Sequence, residues 1–371
     1  QNNVQGASDV GAIPMVYTDY QPVTDAAVRR TFADAWGVPE ERLSLRPGLK
    51  VTQIVQEGSP VRGMYIMGEN PILSDPDVAH AEEWFRGLEF LAVHDLFLTE
   101  TARYADVVLP GASFAEKDGT YVNTERRIQL ARKAVEPPGA ARGDLEIIID
   151  LSRRMGLPTP FRSAAEVMEE IARVTPSWRG VSHARLEAPA GLQYPVPDAA
   201  HPGTDFLFAD DFPTADGRAT FHAVEYLPAA ELPDDEYPFV MNTGRQMYHW
   251  HTGTMTRRSY ALDARESTPT VEINPQDARE LGVAEGDDLV VASRRGEMRI
   301  AARLSDRVAR RQVFVPMHYR EACANLLTNP ALDPYAHIPE YKVCAVRVQR
   351  APALATAYAT PDARPLAQTG D

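Results

Sequence analysis

Between Val61 and Met155 short apolar runs alternate with amphipathic segments, a rhythm that suits a parallel sheet whose strands are joined by helices. Residues 63–67 (GMYIM) are a brief apolar run of the kind that fills a buried parallel strand. A Gly68-Glu69-Asn70-Pro71 loop follows at once. Asp75 is placed to cap the next helix, with Pro76 at its first position. Val78, Ala81, Trp84, Phe85 and Leu88 then share one helical face. A second strand over 88–93 ends in His94-Asp95. A helical piece over 99–104 leads to a third strand, 106–109, stopped by Pro110-Gly111. Asp144 caps a further helix with Leu145, Ile148, Leu151 and Met155 inward, ended by Gly156 and Pro158. The expected fold is an α/β doubly wound parallel sheet domain.

The flanking regions read differently. Residues 1–21 have Gly, Asn and Pro punctuation without a period and read as a loop with short turns. A helix spans 25–36, closed by Gly37 and Pro39. Ser163 and Glu166 form a capping box for a helix carrying Val167, Ile171 and Val174. From Pro176 to Pro238 the chain is rich in Pro, Gly and Asp and reads as a connector, with extended structure near 217–224. The last module is β-rich: strands over 238–243, 289–292, 297–304, 312–316 and 341–348, with a short helix between Asn274-Pro275 and Gly282. Met298, Ile300, Ala302 and Leu304 alternate with polar neighbours, as in a half-buried strand. Short strands with a helix in one crossover favour a closed barrel. The expected organisation is an inter-domain segment (1–60), the α/β nucleotide-binding domain (61–175), a connector (176–235), a β-barrel (236–350) and a mobile tail (351–371).

Charge and hydropathy exclude several function classes. The chain holds 38 basic and 52 acidic side chains, a net charge of -14, which argues against a nucleic-acid or anionic-membrane surface. No apolar run approaches the ~20 residues needed to span a bilayer, and the N-terminal stretch has no basic-then-apolar signal. The two cysteines, Cys323 and Cys344, make no disulfide framework and cannot hold a four-cysteine iron–sulfur cluster. They read as buried free thiols in a reducing, cytoplasmic compartment.

Ligands of a doubly wound sheet sit beyond the carboxyl ends of its strands. Three turns occupy that edge: Gly68-Glu69-Asn70, His94-Asp95, and Pro110-Gly111-Ala112-Ser113. Small residues there let backbone N–H groups approach phosphates, and a carboxylate can take ribose hydroxyls or a purine amino edge. The same residues serve equally well as ordinary turn chemistry. No GxGxxG run is present, which argues against a normal NAD site. A second cluster runs from Thr243-Gly244-Arg245 to His249-Trp250-His251-Thr252-Gly253-Thr254-Met255-Thr256-Arg257-Arg258-Ser259. Its His-x-His pair has no third ligand at suitable spacing, so a phosphate-bearing polar ligand suits it better than a metal. A third cluster is His318-Tyr319, Asn325, Thr328, Tyr341 and Lys342, whose members read singly as structural.

Taken in order, MGENP, HDLFLTETARYADVVLPG, TGR followed by HWHTGTMTRRS, HY with Asn325 and Thr328, and EYK with CAVRV resemble the molybdopterin oxidoreductases. The NNVQGASDVG opening resembles the formate dehydrogenase branch, most closely the catalytic subunits of cytoplasmic NAD-linked enzymes. The resemblance runs from Gln1 to about Gln349. It implies two molybdopterin guanine dinucleotides per intact subunit around one molybdenum or tungsten, and a C-terminal six-stranded, double-psi-like β-barrel that binds this cofactor. Carried over position by position, it places Gly68, Glu69, Asn70, Ser74, His94, Asp95, Thr99 and Asp144 toward one guanine dinucleotide. Thr243, Gly244, Arg245, His249, His251, Thr252, His318, Asn325 and Lys342 fall toward pterin or its phosphates.

The resemblance also implies parts that this sequence does not contain: a Cys or selenocysteine metal ligand followed by His, an Arg just before the NNVQG segment, and an N-terminal iron–sulfur cluster. The expected reading is therefore the C-terminal portion of a formate dehydrogenase catalytic subunit. Its partners would be the N-terminal half and iron–sulfur or flavin electron-transfer subunits, its substrate formate, and this chain alone would be inactive. Competing readings are a non-catalytic scaffold of the complex I type and another reaction of the family, such as nitrate reduction.

Overall fold

The computed structural model describes residues 3–157, 159–188 and 190–352. The chain divides into two units, Gln1–Leu227 with Leu332–Ile338, and Pro228–Ala331 with Pro339–Asp371. The expected tail falls, from residue 353 on, outside the described residues, as do Gln1 and Pro158.

In the first unit, β1 (Gly63–Met67), β2 (Phe90–Asp95) and β3 (Val107–Pro110) form a parallel sheet in the order β1-β2-β3. Ile66 pairs with Val93, and Val93 with Val108, so these three share one face. Ile66 and Val93 of that face pack with Ile72, Phe85 and Ala102, from the helical segments between the strands, and Val108 at the edge is exposed. Strand β1 lies at an edge of the sheet, and Ile66 is its one buried residue, so it is not the fully buried strand that its composition suggests. The helix Val78–Arg86 buries Ala81 and Phe85 as expected, but its cap is Asp77, whose side chain accepts from His80 N. Asp75 instead ends a separate turn, Pro71–Ser74. The helix Asp144–Arg154 buries Ile147 and Ile149 and leaves Ile148 and Met155 exposed. Three consecutive isoleucines fit two faces equally, so spacing alone cannot orient this helix. Its N-cap is Gly143, because the Asp144 side chain turns to His94 and Lys117 instead.

The opening segment is not only loop: Val4–Asp9 is a short helix, and Asn3 Oδ1 accepts from Val122 N. The helix Ala26–Trp36 follows the expectation, with Asp25 accepting from Ala27 N and Val28 N and Gly37 closing it at φ 62°. A second sheet was not expected. Its strands β4 (Gly119–Val122), β5 (Arg127–Ala131) and β6 (Leu192–Gln193) are antiparallel. With the helix Ala164–Val174, capped by Ser163, it encloses Val122, Ile128, Met168, Trp178, Leu192 and Val196. The start of the expected connector therefore belongs to a packed core. The extended structure expected near 217–224 is absent: residues 218–229 carry no strand, and Phe221 and Val224 are exposed.

The second unit is a closed barrel of six strands: β7 (Phe239–Gly244), β8 (Thr270–Ile273), β9 (Asp288–Ala292), β10 (Glu297–Leu304), β11 (Gln312–Pro316) and β12 (Cys344–Arg350). They close in the order β10-β8-β11-β7-β12-β9. Alternation fills the interior: Met298, Ile300 and Ala302 from β10 meet Phe239, Met241, Val271, Ile273, Val313 and Val346. The helix Pro275–Glu280 opens at Asn274, whose side chain accepts from Gln276 N. Its Asp277 is fully buried, accepting from Arg310 Nε and Arg311 N at 2.7 Å each. Cys323 and Cys344 are buried free thiols. Among the described residues no helix is long and apolar enough to cross a membrane.

Candidate functional site

In the first unit the carboxyl ends of the three strands are tied together. Gly68 N donates to His94 O at 2.8 Å and Gly111 N to Asp95 O at 3.0 Å. Gly68 turns the chain at φ +66°, a conformation that favours glycine. Glu69 follows it on the exposed side of the turn. Asn70 is buried: its Oδ1 accepts from Thr101 N and Oγ1, and its Nδ2 donates to Glu100 at 2.8 Å. Thr99, also buried, accepts from Ala102 N. Asn70 and Thr99 thus shape the turns that frame the edge. Ser74 ends the helical turn beside Asp75. Asp75 was not expected here. It is buried with Oδ2 unpartnered, and burial, with the charge of Glu69 adding, lifts its pKa to about 7.

His94 is 1% exposed at the end of β2. Its Nδ1 lies 2.8 Å from the Tyr65 hydroxyl. Its Nε2 lies 2.9 Å from Asp144 Oδ1, off the line of a well-aligned hydrogen bond. The other Asp144 oxygen meets Lys117 Nζ. Burial alone would raise the Asp144 carboxyl, but His94 and Lys117 outweigh it and hold the group below the usual carboxylate range. Gly111 leaves room for this arrangement: a Cβ there would sit 2.9 Å from His94 Nε2 and 3.2 Å from Asp144 Oδ1. Asp95 Oδ1 accepts from Leu96 N at 2.6 Å.

In the second unit Thr243 and Gly244 end β7. The Thr243 hydroxyl donates to Tyr341 O at 2.7 Å, and Lys342 Nζ donates to Thr243 O at 3.3 Å, which joins the end of β7 to the segment before β12. A Cβ on Gly244 would fall 2.6 Å from the Phe314 ring. The Arg245 guanidinium stacks on Trp250 at 4.3 Å, which answers the cost of exposing that indole. His249 and His318 are both buried, with ring centroids 4.6 Å apart. His249 Nε2 is 2.7 Å from Glu266 O, and His318 Nε2 is 2.8 Å from Gln246 Oε1, while His318 Nδ1 is buried without a partner. Burial, then His249 and Arg257, push His318 down to about 3. Burial, then Arg245 and Lys342, push His251 down to about 4. Both imidazoles are neutral at pH 7 and serve as hydrogen-bonding groups rather than cations. His251 lies in the left-handed region at φ 50°. Thr252 and Asn325 are buried, and Thr328 Oγ1 lies 3.4 Å from Asn325 Oδ1.

The first-unit residues expected from sequence therefore collect at one sheet edge. Of those in the second unit, Thr243, Gly244, Arg245, His251 and Lys342 fall around the end of β7 and His249 meets His318, whereas Asn325 is buried beside Thr328. Sequence reasoning missed Tyr65, Lys117 and Gln246, which lie in no motif and meet their partners only through the fold. Among the described residues no group of three or more His, Cys, Asp or Glu side chains could hold a metal ion.

The fold is thus a parallel sheet with a donor-rich carboxyl edge in one unit and a closed barrel with a donor cluster in the other. Family models agree: "Molybdopterin oxidoreductase" matches residues 1–154, and "Molydopterin dinucleotide binding domain" matches residues 239–345. The chain belongs to the molybdopterin oxidoreductase family. It is 48% identical over 353 residues to the F420-dependent formate dehydrogenase subunit alpha of Methanocaldococcus jannaschii, covering 94% of this chain and 52% of that one. It is 35% identical to formate dehydrogenase H of Escherichia coli (94% and 49% covered) and 33% identical to the assimilatory nitrate reductase catalytic subunit of Bacillus subtilis (94% and 50%). The chain spans about half the length of the curated relatives it matches. Acetylene hydratase from Pelobacter acetylenicus shares the fold, with a TM-score of 0.62 at 17% identity, over 94% of this chain and 51% of that one.

Proposed function

We propose that this chain forms part of the cradle for molybdopterin guanine dinucleotide, carrying molybdenum or tungsten, in a formate dehydrogenase alpha subunit. The observation that carries the reading is the gradient among relatives: 48% identity to a formate dehydrogenase alpha subunit against 33% to a nitrate reductase.

The residues present fit such a group. His318 Nδ1 and Asp75 Oδ2 are buried polar atoms without partners. Donors suited to phosphates and pterin amides stand at Arg245, Lys342, Thr252 and Asn325. Asp144, held ionised and ringed by His94 and Lys117, offers acceptor lone pairs of the kind a guanine N1–H and amino edge requires. Gly68, Glu69, Asn70, Ser74, Asp95 and Thr99 shape or line the same edge. When bound, the cofactor supplies the redox centre that accepts electrons from formate. The residues of this chain bind and orient it and keep its environment hydrogen-bonded. Iron–sulfur or flavin subunits that carry electrons onward, and a cytoplasmic location, belong to the same proposal.

The test is calorimetric titration of the 371-residue chain with GDP as probe, at fixed salt. The wild type is expected to bind. Asp144→Ala and Lys342→Ala, each removing a charged hydrogen-bonding group, should weaken binding about tenfold or more. Absence of wild-type binding, or equal affinity in both variants, would refute the reading.

A further inference from the structure

We propose that residues 219–227 (ATFHAVEYL) dock on the part of the alpha subunit that this chain does not contain, adding there as a strand to an open sheet edge. The proposal rests on the alpha-subunit reading above, but not on the identity of the cofactor.

The sequence of this segment specifies a strand, yet the chain gives it no ladder to join. Thr220, Phe221, Val224 and Tyr226 are β-branched or aromatic, with Gly217 before them and Pro228 after them. The preceding turn is tied by its own bonds: Phe212 N donates to Gly217 O at 3.1 Å, Arg218 N to Asp216 Oδ1 at 3.1 Å, and Thr214 Oγ1 to Arg218 O at 2.9 Å. Hydrogen bonding resumes at Ala230, whose N donates to the Glu340 carboxylate. Between these two pins, no N–H or C=O of residues 219–229 meets a partner among the described residues, and the path neither turns nor bends. A run of backbone groups without partners is a template for a second strand.

The side chains also lack cover. Phe221 is fully exposed, and Val224, Tyr226 and Leu227 are 86%, 87% and 83% exposed. Large apolar residues this close together form a patch, unlike the scattered exposure that a soluble surface tolerates. In a strand, Phe221 and Leu227 would lie on one face and Val224 and Tyr226 on the other, so the receiving site must cover both faces. Two observations choose the occupant. The match to the Methanocaldococcus jannaschii alpha subunit covers 94% of this chain but 52% of that protein, so about half of such a subunit has no counterpart here. A second copy of this chain is opposed by charge, since each carries a net -14. Residues 219–227 themselves hold one charged side chain, Glu225, which suits backbone pairing and apolar contact rather than ion pairing.

Hydrogen–deuterium exchange read by mass spectrometry tests this. In the isolated 371-residue chain, the amides of residues 219–227 should exchange at open-peptide rates. In the alpha subunit purified from its own cells through a tag on this chain, they should exchange at least about a hundredfold more slowly. With Phe221 replaced by benzoylphenylalanine, illumination of those cells should cross-link the segment to a peptide of the same subunit outside these residues. Phe221→Asp combined with Tyr226→Asp should abolish the protection and leave the melting temperature of the isolated chain unchanged. Protection in the isolated chain, open-peptide exchange in the cellular subunit, or a cross-link to a second copy or to a different subunit would overturn the proposal. So would a lower melting temperature in the isolated double variant, or cellular material that contains no more of the subunit than this chain. The cofactor reading fails separately. Protected amides in a subunit without guanine nucleotide would leave the docking in place, and unprotected amides in a nucleotide-bearing subunit would remove the docking alone.

Discussion

Replacing Gly111 by alanine should damage the first unit more than any feature of its backbone suggests. Gly111 does not occupy the left-handed region, so alanine meets no conformational penalty there. The cost is steric. The added Cβ would lie 2.9 Å from His94 Nε2, 3.0 Å from Cδ2 and 3.2 Å from Asp144 Oδ1. The imidazole cannot swing away cheaply, because it is buried and meets Tyr65 and Asp144. Overpacking of this kind costs about 1–3 kcal/mol, or a fall in Tm of roughly 2–4 °C per kcal/mol for a unit of this size. Denaturation followed by tryptophan fluorescence reports mainly on this unit, which holds Trp36, Trp84 and Trp178 of the four tryptophans. Gly119→Ala is the control: no atom lies within 4 Å of the position its new methyl would take, and its φ is not positive. The control should be neutral or slightly stabilising. Equal stability in the two variants would refute the reasoning that Gly111 is small because His94 and Asp144 need the space.

Asp75 gives a pH-dependent prediction. Its folded pKa, about 7, lies above the ordinary 3.8. Stability from the protonated group is therefore complete below pH 4 and declines as pH rises toward 7. Above that the cost reaches about 4 kcal/mol at most. Asp75→Asn should match the wild type at pH 4 and exceed it at pH 8 in urea denaturation; a constant difference would contradict this. In the barrel, Asp277→Ala leaves Arg311 N and Arg310 Nε without their acceptor, while the Arg310 guanidinium keeps Gln276 and Glu280. It should cost about 3 kcal/mol, read from urea midpoints, with Arg310 partly rescued by solvent. The chain alone should not reduce viologen with formate. Both its thiols are buried, and burial lifts Cys344 to about 12, so that thiol is not poised to act as a thiolate. Steady viologen reduction would contradict this.

Legibility in the sequence followed the length and period of each element. Strand β10 was plain because Met298, Ile300 and Ala302 alternate over eight residues, whereas β8, with four, was missed. The second sheet was invisible because β6 has only two residues and β4 four, and their shared core is drawn from distant helices. Asp75-Pro76-Asp77 offers two residues that satisfy the capping pattern, and only the separate turn at Pro71–Ser74 decides for Asp77. In the site, the turns at Gly68, His94 and Gly111 were readable because strand ends were readable. Tyr65 and Lys117 were not, since their importance comes from reaching His94 and Asp144, which lie 29 and 27 positions away along the chain.

Whether this chain holds a guanine-bearing metal cofactor is best tested on material purified from its own cells through a tag on the chain. Acid hydrolysis followed by nucleotide analysis, with metal analysis on the same sample, should release GMP together with molybdenum or tungsten in about a two-to-one ratio, as bis-dinucleotide binding implies. Protein free of both GMP and either metal, though folded and associated with its partners, would contradict the account.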